Sequence, residues 1–92
     1  MKINKEIIIN IVNKYNNCQI EEIYENHKVM GNWCTITGDL EVIENLSTDY
    51  SILLDGQISD VFSEIKKYET INLISETHAD ENNFYECISF SW

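Results

Sequence analysis

The stretch ETHADENNFYE, residues 76–86, sets His78 among Glu76, Asp80, Glu81 and Glu86. Imidazole and carboxylate groups bind zinc and exchange protons, so this spacing raises two chemistries at once. A metal needs three or four donors converging at fixed distances. In an extended strand Glu76 and His78 share a face, which supplies two donors. The second histidine, His27, lies on a distant segment, and neither H-x-x-x-H nor H-E-x-x-H occurs. Asp80-Glu81-Asn82-Asn83 is also a turn sequence, because Asp and Asn tolerate left-handed backbone and hydrogen-bond their own main chain. The segment therefore reads as an acidic hairpin tip, and no catalytic residue, metal ligand or cofactor is assigned.

The remaining chemistry-bearing residues give no stronger signal. No G-x-S-x-G, phosphate-binding loop or dinucleotide fingerprint is present. Carboxylates are so abundant that no pair stands out for acid–base work, and Glu21-Glu22-Glu25 and Glu41 with Glu44 read as exposed faces. Cys18, Cys34 and Cys87 are odd in number and widely spaced, which fits small apolar residues in a reducing cytosol better than a disulfide framework. A cleft of ordinary substrate size is hard to build in a small domain that must also keep a core. The expectation is a binding protein and not an enzyme.

The elements that position these residues follow from hydrophobic periodicity. In INKEIIINIVNKYNN, Ile3, Ile7, Ile8, Ile11, Val12 and Tyr15 fall at helical spacing, predicting a helix over about residues 3–16. CQIEEIYENHKV reads as a strand turning at Asn26-His27. Trp33 to Ile36, followed by Gly38-Asp39 and then Leu40 and Val42, reads as a hairpin with a tight glycine turn. Tyr50, Ile52 and Leu54 alternate in a further strand. Ile58, Val61, Phe62 and Ile65 make the cleanest amphipathic helix, with Asp55 or Ser59 as its N-cap and Lys66-Lys67 at its end. Ile71 and Leu73 open one strand, and Phe84, Ile88, Phe90 and Trp92 share one face of the closing strand. Trp33 and Trp92 are expected in the core, where large aromatics dominate. The predicted class is α+β: a single domain spanning 1–92, with an antiparallel β-sheet, two helices packed on one face and the order α-β-β-β-β-α-β-β.

Charge points to the kind of partner. Sixteen Asp and Glu face six Lys, there is no Arg, and the net is −10. Residues 20–92 carry three lysines against fifteen acids, a net of −12. Such a field repels nucleic acid and anionic membranes, and it speeds encounter with a basic protein. The N-terminus lacks the continuous apolar core of a signal peptide, and no run approaches the roughly 18 apolar residues of a membrane span. A cytoplasmic protein with no direct nucleic-acid or membrane contact is expected.

With its opening MKINKEIIINIVNK, its acidic β-rich middle and its acid-rich ADENNFYE, the chain resembles the small acidic anti-CRISPR proteins carried by phages and prophages. The resemblance lies in size, charge and element order. It implies an acidic inhibitor, a nucleic-acid mimic that occupies the DNA-binding surface of a CRISPR effector nuclease. It also implies that Glu76, Asp80, Glu81 and Glu86 meet the partner, with Asp39, Glu41 and Glu44 as a second cluster. An immunity protein or antitoxin that neutralises a nuclease toxin would use the same electrostatics. A small assembly subunit, homodimeric through the edge of its C-terminal strand, is the alternative from another class.

Overall fold

The computed structural model of the chain describes residues 1–44, 50–53, 56–80 and 83–92. The elements are α1 (Lys5–Val12), β1 (Cys18–His27), β2 (Gly31–Asp39), β3 (Glu41–Glu44), β4 (Tyr50–Leu53), α2 (Gly56–Ile65), β5 (Ile71–Asp80) and β6 (Asn83–Ser91). This is the α+β class and the element order expected. Among the described residues, no helix is long and apolar enough to cross a membrane.

Helix α1 is shorter than its periodic stretch because asparagines bound it. Asn4 is extended and its side chain accepts the Ile7 N–H at 2.9 Å, a conventional N-cap. After Val12 the chain tightens, with Lys14 N–H donating to the Ile11 carbonyl and Tyr15 N–H to that of Val12. Ile3 is buried and Tyr15 packs against the core from outside the helix. The Glu25 carboxylate on β1 accepts the Lys5 N–H at 2.9 Å, placing negative charge at the positive end of α1.

The main sheet is antiparallel in the order β1-β2-β6-β5. Its inner face is built by period-two alternation: Ile20, Ile36 and Ile88 align across three strands, with Cys34 beside Phe90 in the next row. Ile8, Ile11 and Val12 of α1 and Ile58, Val61 and Ile65 of α2 close over this face to form the core. Each such side chain withdrawn from water stabilises the fold by about 1.5–3 kcal/mol.

Four local expectations are corrected. Gly38 is not a turn residue; β2 runs through it, and a Cβ there would lie 2.9 Å from the Cβ of Ile58. Glycine is needed because α2 rests directly on β2 at this point. The strand after it does not fold back on β2: β3 pairs with β4 in a separate two-stranded sheet, from Glu41 opposite Leu53 to Glu44 opposite Tyr50. Ser59 lies inside α2, which starts at Gly56, so it is not the cap, and Asp55 lies outside the described residues. The first strand also runs past Asn26, a left-handed residue (φ 56°) within β1, and turns only after His27.

Candidate functional site

With both helices on one face, the other face of the four-stranded sheet is left open, and no described helix packs on it. Cross-strand partners place their side chains on the same side, so the register identifies what that face presents. Tyr24, Trp33, Ser91 and Ile71 make one row across the sheet. Glu22, Thr35, Ser89 and Ile74 make the next, and Gln19, Thr37, Cys87 and Glu76 the third. Asp39, Tyr85 and His78 form a fourth.

The face is chemically graded. Its first row is aromatic and apolar: Ile71 is 56 % exposed, and the adjoining turn carries Val29 at 85 %. Trp33 Nε1 donates to Thr35 Oγ1 at 3.1 Å, which fixes the indole on this face. Trp33 is thus half-buried on the open side and not a core residue as expected, whereas Trp92 does pack against the core. The following rows are acidic. A bulge between Ile20 and Glu22 turns Glu21 to the same side, where its carboxylate accepts from Thr37 Oγ1 at 2.9 Å and Gln19 Nε2 at 2.6 Å. Glu21, Glu22, Asp39 and Glu76 therefore lie on one surface with no lysine among its described residues. From β1 to β5 the carboxylates span three strand spacings, about 14 Å. Five of the six lysines (Lys2, Lys5, Lys14, Lys66 and Lys67) lie in or beside the helical layer instead.

Cys87 reports the field at the middle of this face. Its thiol is pushed up from the ordinary range first by burial and then by the charges of Glu76, Glu21 and Glu86. Next to it, His78 stacks on Tyr85 with ring centroids 5.2 Å apart, and its Nε2 stands 3.6 Å from the Glu76 carboxylate. That contact is the two-donor arrangement expected of an extended strand. Among the described residues no three His, Cys, Asp or Glu side chains gather as a metal site would require.

The residues picked out by sequence are dispersed by the fold. Glu76 and Asp39 are exposed on the open face. Glu86 is not: it is 5 % exposed on the helix-facing side, and its two oxygens accept from Ser75 Oγ and Thr77 Oγ1, both at 2.6 Å. A carboxylate so enclosed and satisfied holds β5 to β6 and has little left to offer a partner. Asp80 ends β5 opposite Asn83, and Glu81 lies outside the described residues. Glu41 and Glu44 sit on β3, in a different sheet from Asp39, so the second cluster is divided between two sheets. Sequence reasoning does not pick out Trp33, Glu21, Glu22, Ile71 or Ile74 as partner-facing. Strand parity was the available signal, since Trp33, Thr35 and Thr37 alternate with the apolar Cys34 and Ile36.

Compared with known proteins, the chain matches no family model, no curated protein and no solved structure.

Proposed function

We propose that the chain is an inhibitor that covers a basic, nucleic-acid-binding surface of another protein with the open face of its sheet. The observation that carries this is the segregation of charge: Glu21, Glu22, Asp39 and Glu76 share one face, while five of the six lysines keep to the helical side and Lys28 lies in the turn between β1 and β2. Carboxylates held on a rigid sheet offer Arg and Lys the same anionic acceptors as backbone phosphates. Trp33, Tyr24 and Ile71 at the end of that face supply apolar anchors, the residue types on which binding energy concentrates. An effector nuclease of a CRISPR system, inhibited in the cytoplasm of a phage host, is the proposed target, and a nuclease toxin would present the same basic surface. The chain itself makes no contact with nucleic acid in this scheme.

The test is displacement of labelled nucleic acid from purified nucleases of both kinds, followed by fluorescence polarisation at low and moderate salt. Displacement should weaken as salt rises, because the Debye length shrinks to about 8 Å at physiological ionic strength. Glu22→Lys with Glu76→Lys should abolish it. Trp33→Ala should weaken it by at least about 2 kcal/mol, roughly 30-fold. Glu6→Lys, on α1, should change little. Loss of binding in Glu6→Lys but not in the open-face double variant would place the interface on the helices, and failure to displace nucleic acid from either kind of nuclease would end the proposal.

A further inference from the structure

The two edges of the four-stranded sheet are treated very differently. Edges are aggregation hazards that proteins blunt with bulges, lysines, prolines or covering elements. On β1 the ladder to β2 is interrupted at Glu21 and again after Tyr24, and the N-terminus of α1 is tied to Glu25. The other edge, β5, has ten residues and holds no lysine or proline. Its one irregularity lies between Ile71 and Ile74, at the left-handed Asn72 (φ 53°); from Ile74 to Asp80 it pairs with β6 without a break. Among the described residues, no strand pairs with its outer side. Ile71 and Ile74 remain 56 % and 47 % exposed beside it.

We propose that a second copy of this chain occupies that edge, the two β5 strands pairing antiparallel about a two-fold axis at Thr77. Among the registers centred on Glu76, Thr77 and His78, the side-chain sequence of β5 favours the one centred on Thr77. Centring on Thr77 sets Glu76 opposite His78 of the second copy, and the symmetry repeats the pair. Centring one residue earlier, on Glu76, sets the two Glu76 carboxylates against each other. Centring one residue later, on His78, sets Glu76 against Asp80. Like charges directly opposite are destabilising, whereas Thr–Thr pairs are favourable and a carboxylate can accept from an imidazole N–H that faces it. Glu76 and His78 already neighbour each other within one chain at 3.6 Å, so the pairing closes an alternating ring of two carboxylates and two imidazoles.

A two-fold perpendicular to the sheet keeps both open faces on one side. The result is an eight-stranded sheet about 34 Å across its seven strand spacings, with the carboxylates of Glu21, Glu22, Asp39 and Glu76 presented twice. The pairing stands on the edge alone and does not depend on the inhibitory role proposed above.

Sedimentation equilibrium of the full chain tests it, with charge-swap variants at two residues that are at least partly exposed. Wild type should sediment as a dimer. His78→Glu should weaken dimerisation at least roughly tenfold, because Glu76 then faces a glutamate twice. The exchanged double variant Glu76→His with His78→Glu should restore it. In addition, Thr77→Cys should form an intermolecular disulfide under mild oxidation and Ser75→Cys should not, since only position 77 faces itself. A wild type that is monomeric at all concentrations would overturn the proposal. So would a dimer indifferent to His78→Glu, or one not restored by the exchange.

Discussion

Gly38→Ala is the most direct test of how α2 is seated on the sheet. The added Cβ would stand 2.9 Å from Ile58 Cβ, 3.0 Å from its Cδ1 and 3.1 Å from its Cγ1. Carbon atoms prefer about 3.5–4.0 Å, so all three contacts are too close. The outer two belong to atoms that a rotation can move. The nearest belongs to an atom fixed to the helix backbone, and Ile58 is fully enclosed, so α2 itself must shift by about half an ångström. Overpacking of this kind costs about 1–3 kcal/mol. Loss of glycine's freedom in the unfolded chain returns about 0.4–1 kcal/mol. The net expectation is a destabilisation of ~1–2 kcal/mol, or a fall in Tm of roughly 5–15 °C for a domain of this size. Urea unfolding followed by tryptophan fluorescence, with thermal unfolding by circular dichroism, measures both. Ile58→Ala removes Cγ1 and Cδ1 but keeps the Cβ, so Gly38→Ala should cost less in that background without becoming neutral. A Gly38→Ala protein as stable as wild type, or more stable, would show that α2 does not rest on β2 at this distance.

Two further outcomes follow from the titrating groups. Tyr15 donates to Glu64 at 2.6 Å, which with the neighbouring charge pushes its phenol up to about 12, while Lys14 first and Tyr15 second hold Glu64 below the usual carboxylate range. The Tyr15 contribution should be complete below about pH 10 and lost as pH rises through about 12, and that of Glu64 should be lost as pH falls below the ordinary carboxylate range; pH-dependent urea unfolding should show the alkaline loss vanish in Tyr15→Phe. Burial pushes the Cys34 thiol up to about 12, so a neutral alkylating reagent at mildly alkaline pH should label Cys87 slowly and Cys34 only on unfolding, and equal native rates by peptide mass mapping would contradict the placement of Cys34 in the core.

Much of the scaffold was legible because apolar periodicity is a local signal. Ile8, Ile11 and Val12, and Ile58, Val61 and Ile65, repeat at helical spacing and are buried as that spacing requires. What was not legible depended on which strands become neighbours. Gly38-Asp39 has the composition of a turn, and only the approach of Ile58 shows why glycine stands in mid-strand. Glu86 reads with the exposed acids because it closes the acid-rich stretch ADENNFYE. Its even position, shared with Phe84, Ile88 and Phe90, placed it inward, where Ser75 and Thr77 from the adjacent strand satisfy it. Size alone predicts Trp33 in the core, yet its parity with Thr35 and Thr37 puts it on the open side. Glu22 and Glu76 lie far apart in the chain, and the two adjacent rows that bring them onto one face, one through Thr35 and Ser89 and the other through Thr37 and Cys87, exist only once β2 and β6 are paired at the centre of the sheet.

That central pairing also explains why an acidic face can be carried at small cost to the fold. The inner rows of β2 and β6 supply Cys34, Ile36, Ile88 and Phe90 to the core, so stability is secured on the side away from the charges. The outer rows of the same strands hold Thr35, Thr37, Ser89 and Cys87, small side chains that separate the carboxylates of β1 from that of β5. Across about 14 Å of solvated surface, repulsion between these groups is largely screened at physiological salt. Brought against an apposed basic surface with water excluded, the same charges interact through a lower dielectric and over shorter distances. In the binding mode proposed above, an arrangement nearly neutral for folding would carry the interaction, a division of labour that a sheet covered on one face makes available.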